Sequence, residues 1–304
     1  MKLFRFVPLL ALSLLMTLYA PPSRAASPQA LKSATDGWNT LLQKHVRPNG
    51  GVDYQGFAKD LPALTAFIKA HATLDLKGAD DNTKKATYIN LYNATMIYNL
   101  LKYAQAEHID VASAKFPAIE INDIKVPGGN IWNGDYKVEL AGQSVSLDEI
   151  EHGLIRGQAT GALAPLKVQV LDPRIHAAVN CAAMSCPRLR EIAYRPETVD
   201  HMLDENIRAF VSNEAQFHKV DDGTLKANSI VYWYYDDFDT VGKKTGHGAG
   251  DYLAQFVSPQ SKDHAWKVRH LQTNFNDRSK IALKLSSAFD FTYDWRVNDV
   301  RNRK

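Results

Sequence analysis

A chain of 304 residues with 45% hydrophobic content can bury a sizeable core, and no repeat, low-complexity tract or Pro/Ser-rich linker divides it. Its formal charge of +3 comes from Lys2, Arg5 and Arg24, because residues 1–25 hold no acid. Beyond residue 25 the charges balance, which leaves no electrostatic footprint for nucleic acid.

The first 25 residues read as a secretory signal. Basic Lys2 and Arg5 precede an apolar run over residues 6–19, and Ser23-Arg24-Ala25 sets small residues where a signal peptidase cuts. The run is short for a membrane span and Pro21-Pro22 follow it. Nothing later is apolar over enough length to cross a bilayer. The expected product is a periplasmic or secreted single domain, residues 26–304, with no transmembrane segment.

Ala30, Leu31, Ala34, Trp38, Leu41, Leu42 and Val46 recur at helical steps until Pro48-Asn49-Gly50-Gly51 stops them. A second helix is predicted over residues 61–72 and a third over 82–103. On the third, Ala86, Asn90, Asn93, Ala94, Ile97 and Leu101 share one face. Amides on an apolar face need partners, so Asn90 and Asn93 either tie down a loop or line a site.

Short strands are expected over residues 118–145, with turns at Pro127-Gly128-Gly129-Asn130 and Ala141-Gly142-Gln143. Ser146-Leu147-Asp148-Glu149 is a capping box opening a helix whose apolar stripe is Leu147, Ile150 and Leu154. Glu151 projects along that stripe and calls for a cation or donor: a structural arginine such as Arg174 or Arg156, or a catalytic imidazole that it orients. His152 lies to one side.

Residues 167–170 are read as a strand leading to the stretch that holds both cysteines, Arg174-Ile175-His176-Ala177-Ala178-Val179-Asn180-Cys181-Ala182-Ala183-Met184-Ser185-Cys186-Pro187. A helix after Arg195 follows, with Val199, Leu203, Asn206, Ile207 and Phe210 on one face. Residues 217–228 read as a hairpin and 240–250 as a polar, Gly-rich loop. A short helix is expected over 251–257, and residues 289–298 alternate as a strand does. The aromatics of residues 232–238 read mainly as core.

Three chemistries suit the cysteines. In an oxidising compartment a Cys181–Cys186 disulfide comes first, although a spacing of five requires a non-helical turn, which Pro187 allows. A nucleophilic thiol is the second, with Cys181 preferred because residues 180–183 can begin a helix at the sulfur. A metal set of His176, Cys181 and Cys186 is the weakest, since no Cys-x-x-Cys or His-Glu-x-x-His pair is present. No cofactor is called for.

The cysteine stretch resembles the signature of the domain-of-unknown-function 547 family. Similar blocks are Asn90-Leu91-Tyr92-Asn93-Ala94, the run from Ser146 through Glu151-His152 to Arg156, Trp233-Tyr234-Tyr235-Asp236-Asp237-Phe238 and Tyr293-Asp294-Trp295-Arg296-Val297-Asn298. They spread over residues 36–298. One departure is Ala182, where the resemblance implies glycine. The family pattern selects Asn90, Asn93, Glu151, His152, Arg156, Arg174, His176, Cys181 and Cys186, and its bacterial members look exported.

Together these readings predict a helix-rich α+β domain with a small, mainly antiparallel sheet. The functional expectation is a thiol-dependent hydrolase or acyl-transfer enzyme of the periplasm. Cys181 is the nucleophile, His152 or His176 the base, Glu151 the orienter and Asn93 the oxyanion or positioning group. Asn90, Arg156 and Arg174 bind a small-molecule or peptide ligand. The alternative is a non-catalytic envelope binding or scaffold protein stapled by Cys181–Cys186.

Overall fold

The computed structural model describes residues 28–282 and 288–303. The secretory signal and the cut after Ala25 lie outside the described residues. Helices α1 (Pro28–His45), α2 (Tyr54–Lys59), α3 (Leu61–Lys69) and α4 (Asp81–Ala106) come first. Hairpins β1 (Lys125–Val126) with β2 (Gly129–Asn130), and β3 (Val138–Leu140) with β4 (Gln143–Val145), come next. Then follow α5 (Val199–Val211), β5 (His218–Lys219), β6 (Leu225–Asn228), α6 (Ser229–Trp233), α7 (Tyr235–Lys244), α8 (Ala249–Ala254), α9 (His264–Asn274), α10 (Arg278–Ala282) and β7 (Phe289–Thr292). The fold is α+β and helix-rich, as predicted. The largest sheet is mixed: β6 pairs antiparallel with β5 and parallel with β7.

Helix α4 is buried almost all round, beyond the single face its periodicity suggests. Even Lys84 and Lys85 are buried and paired, Lys84 Nζ to the Lys167 carbonyl (3.0 Å) and Lys85 Nζ to Asp172 (3.0 Å). One apolar core surrounds α4 and joins α1 to α3, β3, β4 and the cysteine stretch. A second joins the far end of α5 to β6, α6, α7, α8 and α9. Tyr293 packs against both.

Several local expectations are corrected. Residues 118–121 make no strand, because Pro117 favours a 3₁₀ turn at Phe116–Ala118 and only Glu120 bridges to Arg296. Residues 167–170 make none either: the Asp81 carboxylate takes the Gln169 and Val170 N–H groups at 2.9 Å each, in place of a neighbouring strand. The polar stretch over 240–250 is mostly helix, since α7 runs to Lys244 with a Lys243–Asp239 pair one turn apart (2.6 Å).

No helix begins at Cys181. Pro173–Ala177 is a 3₁₀ turn capped by the Asp172 side chain, and the chain then opens into a loop. Asn180 folds that loop. Its Oδ1 accepts the Ala182 N–H (2.9 Å) and its Nδ2 donates to the Pro187 carbonyl (2.7 Å). Ala182 is thereby driven to φ +65°, the left-handed region where glycine pays no steric cost. The C-terminal strap closes over the loop: Met184 N–H donates to the Arg296 carbonyl (2.7 Å), and Asn298 N–H to the Ala182 carbonyl (2.8 Å).

Two outcomes follow from this packing. Replacing Ala182 with Gly should raise stability by about 1 kcal/mol in urea unfolding, through relief of the left-handed strain; a loss of stability would contradict the backbone account. The second concerns His71, which is fully buried between α3 and the β3–β4 turn, with Nδ1 donating to the Phe67 carbonyl. Burial depresses its pKa to about 4. The unfolded chain therefore takes up a proton below about pH 6.5 that the folded chain refuses. This site should remove up to about 3 kcal/mol of stability as pH falls from 6.5 to 4. Across that window His71→Gln should flatten the pH dependence of urea unfolding, and an unchanged slope would refute the assignment.

Candidate functional site

A cavity of about 190 Å³ lies where the cysteine loop, residues 148–152, α6 and the C-terminal strap converge. Glu151, His152, His176, Cys181 and Cys186 all line it, although they come from separate stretches of chain. Asp148, Tyr92, Tyr234, Tyr293 and three tryptophans complete the wall.

The capping box forms as predicted: Ser146 N–H donates to Glu149 Oε2 (2.8 Å) and Glu149 N–H to Ser146 Oγ (3.2 Å). The turns that follow, Glu149–Ile155, are a π-helix, a form common at functional positions. Leu147, Ile150 and Leu154 are fully buried, and the wider turn presents Glu151 and His152 to the cavity together. Gly157 reverses the chain at φ +74°, where a Cβ would stand 2.7 Å from the Val168 carbonyl oxygen.

Glu151 forms neither of the partnerships expected of it. Its carboxylate accepts the Tyr234 hydroxyl at 2.5 Å, and the Tyr92 phenol interacts with the same group. Burial, with the Glu151 charge second, pushes both phenols well above their usual range, so they remain donors. Asp237, on α7, is the acid that orients an imidazole. It takes Arg156 on both oxygens (Nε 2.7 Å, Nη2 2.8 Å) and His176 Nε2 on one (2.8 Å). Burial opposes the Asp237 charge, but the His176 and Arg156 hydrogen bonds outweigh it and hold this carboxyl well below the usual range. Arg156 Nη1 also meets His152 Nδ1 at 3.0 Å. A guanidinium only donates, so that nitrogen accepts and His152 carries its proton on Nε2, 3.8 Å from Asp148.

His176 is 1% exposed and stacks on Tyr234 with ring centroids 3.7 Å apart. Burial lowers its pKa, and the Asp237 hydrogen bond only partly offsets this. It is therefore a neutral ring at pH 7, with Nε2–H on Asp237 and a bare Nδ1 that has no hydrogen-bond partner. That is the arrangement a general base needs.

Cys181 and Cys186 stand at disulfide distance, with Cα atoms 6.3 Å apart. The Tyr293 hydroxyl touches both sulfurs, at 3.1 and 3.2 Å. Cys181 is partly exposed to the cavity, whereas Cys186 is buried and accepts the Cys181 N–H (3.0 Å). Among the described residues no group of three or more His, Cys, Asp or Glu is arranged to hold a metal ion.

Other predicted residues lie away from the cavity wall. Asn93 clamps the loop backbone, donating to the Ala178 carbonyl (3.0 Å) and accepting the Asn180 N–H (2.8 Å). Asn90 does the same for Tyr194, at 2.8 and 3.0 Å. Arg174 is spent on Asp172, Asp200 and Asp204. Asn93 and Asn90 thus tie down loops, and Arg174 is a structural ion-pair hub. Sequence reasoning passed over Asp237, Tyr234, Tyr293 and the tryptophans Trp132, Trp233 and Trp295. Apart from Trp132, their signal was the aromatic-acidic composition of residues 232–238 and 293–298, read mainly as core or as strand alternation.

No helix of the described residues is long and apolar enough to cross a membrane. No curated protein matches the chain, and no solved structure matches it. Residues 76–211 match a family model described as "Protein of unknown function, DUF547". That stretch carries α4 with its amides, the π-helix and the cysteine loop, and over these residues the chain is similar to the DUF547 family.

Proposed function

We propose that the cavity is the active site of an exported, thiol-dependent hydrolase or acyl-transfer enzyme whose Cys181–Cys186 pair must be reduced for activity. The observation that carries this reading is the bare Nδ1 of His176, oriented by Asp237 in a wall shared with both sulfurs. In the reduced protein His176 takes the Cys181 thiol proton and the thiolate attacks an acyl carbonyl. The leaving group departs with that proton, and water or an acceptor nucleophile then releases the acyl group from sulfur. Tyr293 donates to the sulfur that is not attacking, and Arg156 fixes Asp237. Exchange with an external disulfide, which is itself reduced to two thiols, re-forms the Cys181–Cys186 bond. The signal over residues 1–25 supports a periplasmic or secreted location.

A second reading is a binding protein of the envelope with a permanent staple. The pair at disulfide distance and the aromatic walls favour it.

Acylation separates the two. After reduction, p-nitrophenyl acetate should place one acetyl group on Cys181, read by peptide mass spectrometry, and Cys181→Ser should abolish it. Cys186→Ser should remain labelled. Asp237→Asn should slow the burst at least about tenfold, within the usual range for positioned acid–base help. An adduct that persists in Cys181→Ser, or none in the reduced parent, overturns the enzyme and leaves the stapled binding protein.

A further inference from the structure

Glu151 is 5% exposed, and its partners are two phenols. A buried carboxylate normally has a cation beside it. Arg156, the closest candidate, is committed to Asp237 through two hydrogen bonds. Among the described residues no lysine or arginine lines the cavity, yet Asp148 lines it as a second acid. Burial raises the Asp148 carboxyl; the Glu151 and Glu149 charges add to this, while His152 partly offsets it. Two carboxyl groups therefore share the wall of this small space.

Much of the remaining wall is aromatic. Trp295 stacks on Trp233 (centroids 5.5 Å, 23° between planes) and meets Trp132 edge-on at 5.9 Å. Tyr293 lies 4.4 Å from Trp295 and 4.8 Å from Trp233. Trp233 is 45% exposed, so its ring is open to a ligand. Aromatic rings that share a wall with carboxyl groups attract a positive charge through their faces, and a weakly hydrated ammonium most of all. At about 190 Å³ the space suits a side-chain-sized group.

We propose that this cavity binds an alkylammonium group, held between Glu151 with Asp148 and the Trp132–Trp233–Trp295 wall. This deepens the enzymatic reading and rests on the same cavity: the substrate becomes an ester, thioester or amide whose acyl portion carries an ammonium. The group sets its positive charge beside Glu151 and Asp148 and the carbonyl against the sulfurs. An anionic substrate is disfavoured by two acids, and a neutral sugar offers them no charge to meet.

Binding needs no thiol, so it is tested on the full chain without reductant. Tryptophan fluorescence is titrated with choline and with 3,3-dimethylbutan-1-ol, its neutral isostere. Choline should bind at least about tenfold more tightly, the size of a desolvated cation–π and charge contribution. Glu151→Gln and Asp148→Asn should each weaken choline by about five- to tenfold without changing the isostere, and Trp295→Leu should weaken both. Equal affinity for the two probes, or choline binding indifferent to both acid substitutions, overturns the proposal. Should Glu151→Gln fail to fold, Asp148→Asn and the probe comparison still decide. Acylation of Cys181 is read separately, so ammonium binding without acylation removes only the enzyme, and acylation without charge selectivity removes only this inference.

Discussion

Asp237 is the constraint on which the site depends. One carboxylate, 5% exposed, receives both arms of Arg156 and the Nε2 of His176. Those contacts tie α7 to the π-helix and to the 3₁₀ turn ahead of the cysteine loop. A buried charge satisfied from three directions is stable where it is, and removing one partner typically costs about 3–5 kcal/mol because the remaining charges stay buried. The same contacts decide chemistry. They keep Asp237 ionised, assign the His176 proton to Nε2 and leave Nδ1 without a hydrogen-bond partner. Arg156 passes the constraint on to His152, whose Nδ1 it occupies. Two imidazoles thus receive fixed tautomers from one acid–base chain.

The cysteine loop is built on a different principle. It has almost no regular structure, so its backbone groups are satisfied by side-chain amides. Asn93 reaches it from α4, Asn180 from within, Asn228 from the end of β6 (Nδ2 to the Ser185 carbonyl, 2.7 Å) and Asn298 from the strap (Nδ2 to Asn180 Oδ1, 3.0 Å). Each amide can donate and accept at once, which suits a buried loop whose N–H and C=O groups point in many directions. The result is a rigid frame that holds the partly exposed Cys181 and the buried Cys186 together at the cavity.

How far this was legible in the sequence differs by element. The capping box at Ser146, the hairpin turn at Ala141-Gly142 and the amphipathic face of α5 were readable, because local backbone chemistry decides them. The strand expected over residues 167–170 was not, because a carboxylate from α4 takes the place of a partner strand. The role of Asp237 was illegible for a similar reason. It sits 61 residues from His176 and 81 from Arg156, in a run of aromatics that periodicity assigns to core. Glu151 was singled out correctly as an acid needing a partner, yet nothing local reveals that its partners are phenols. Ala182 was visible as a departure from the family resemblance, and the left-handed backbone there explains why glycine suits the position.

The central claim is that Asp237 holds His176 as a neutral ring with Nδ1 bare. Nitrogen-15 chemical shifts of the histidine rings, assigned by comparison with His176→Gln, read this directly in the folded protein. The account predicts a neutral His176 at pH 7, with a protonated Nε2 and an unprotonated Nδ1, and a loss of that tautomer preference in Asp237→Asn. An imidazolium at pH 7, or a proton on Nδ1, would contradict it.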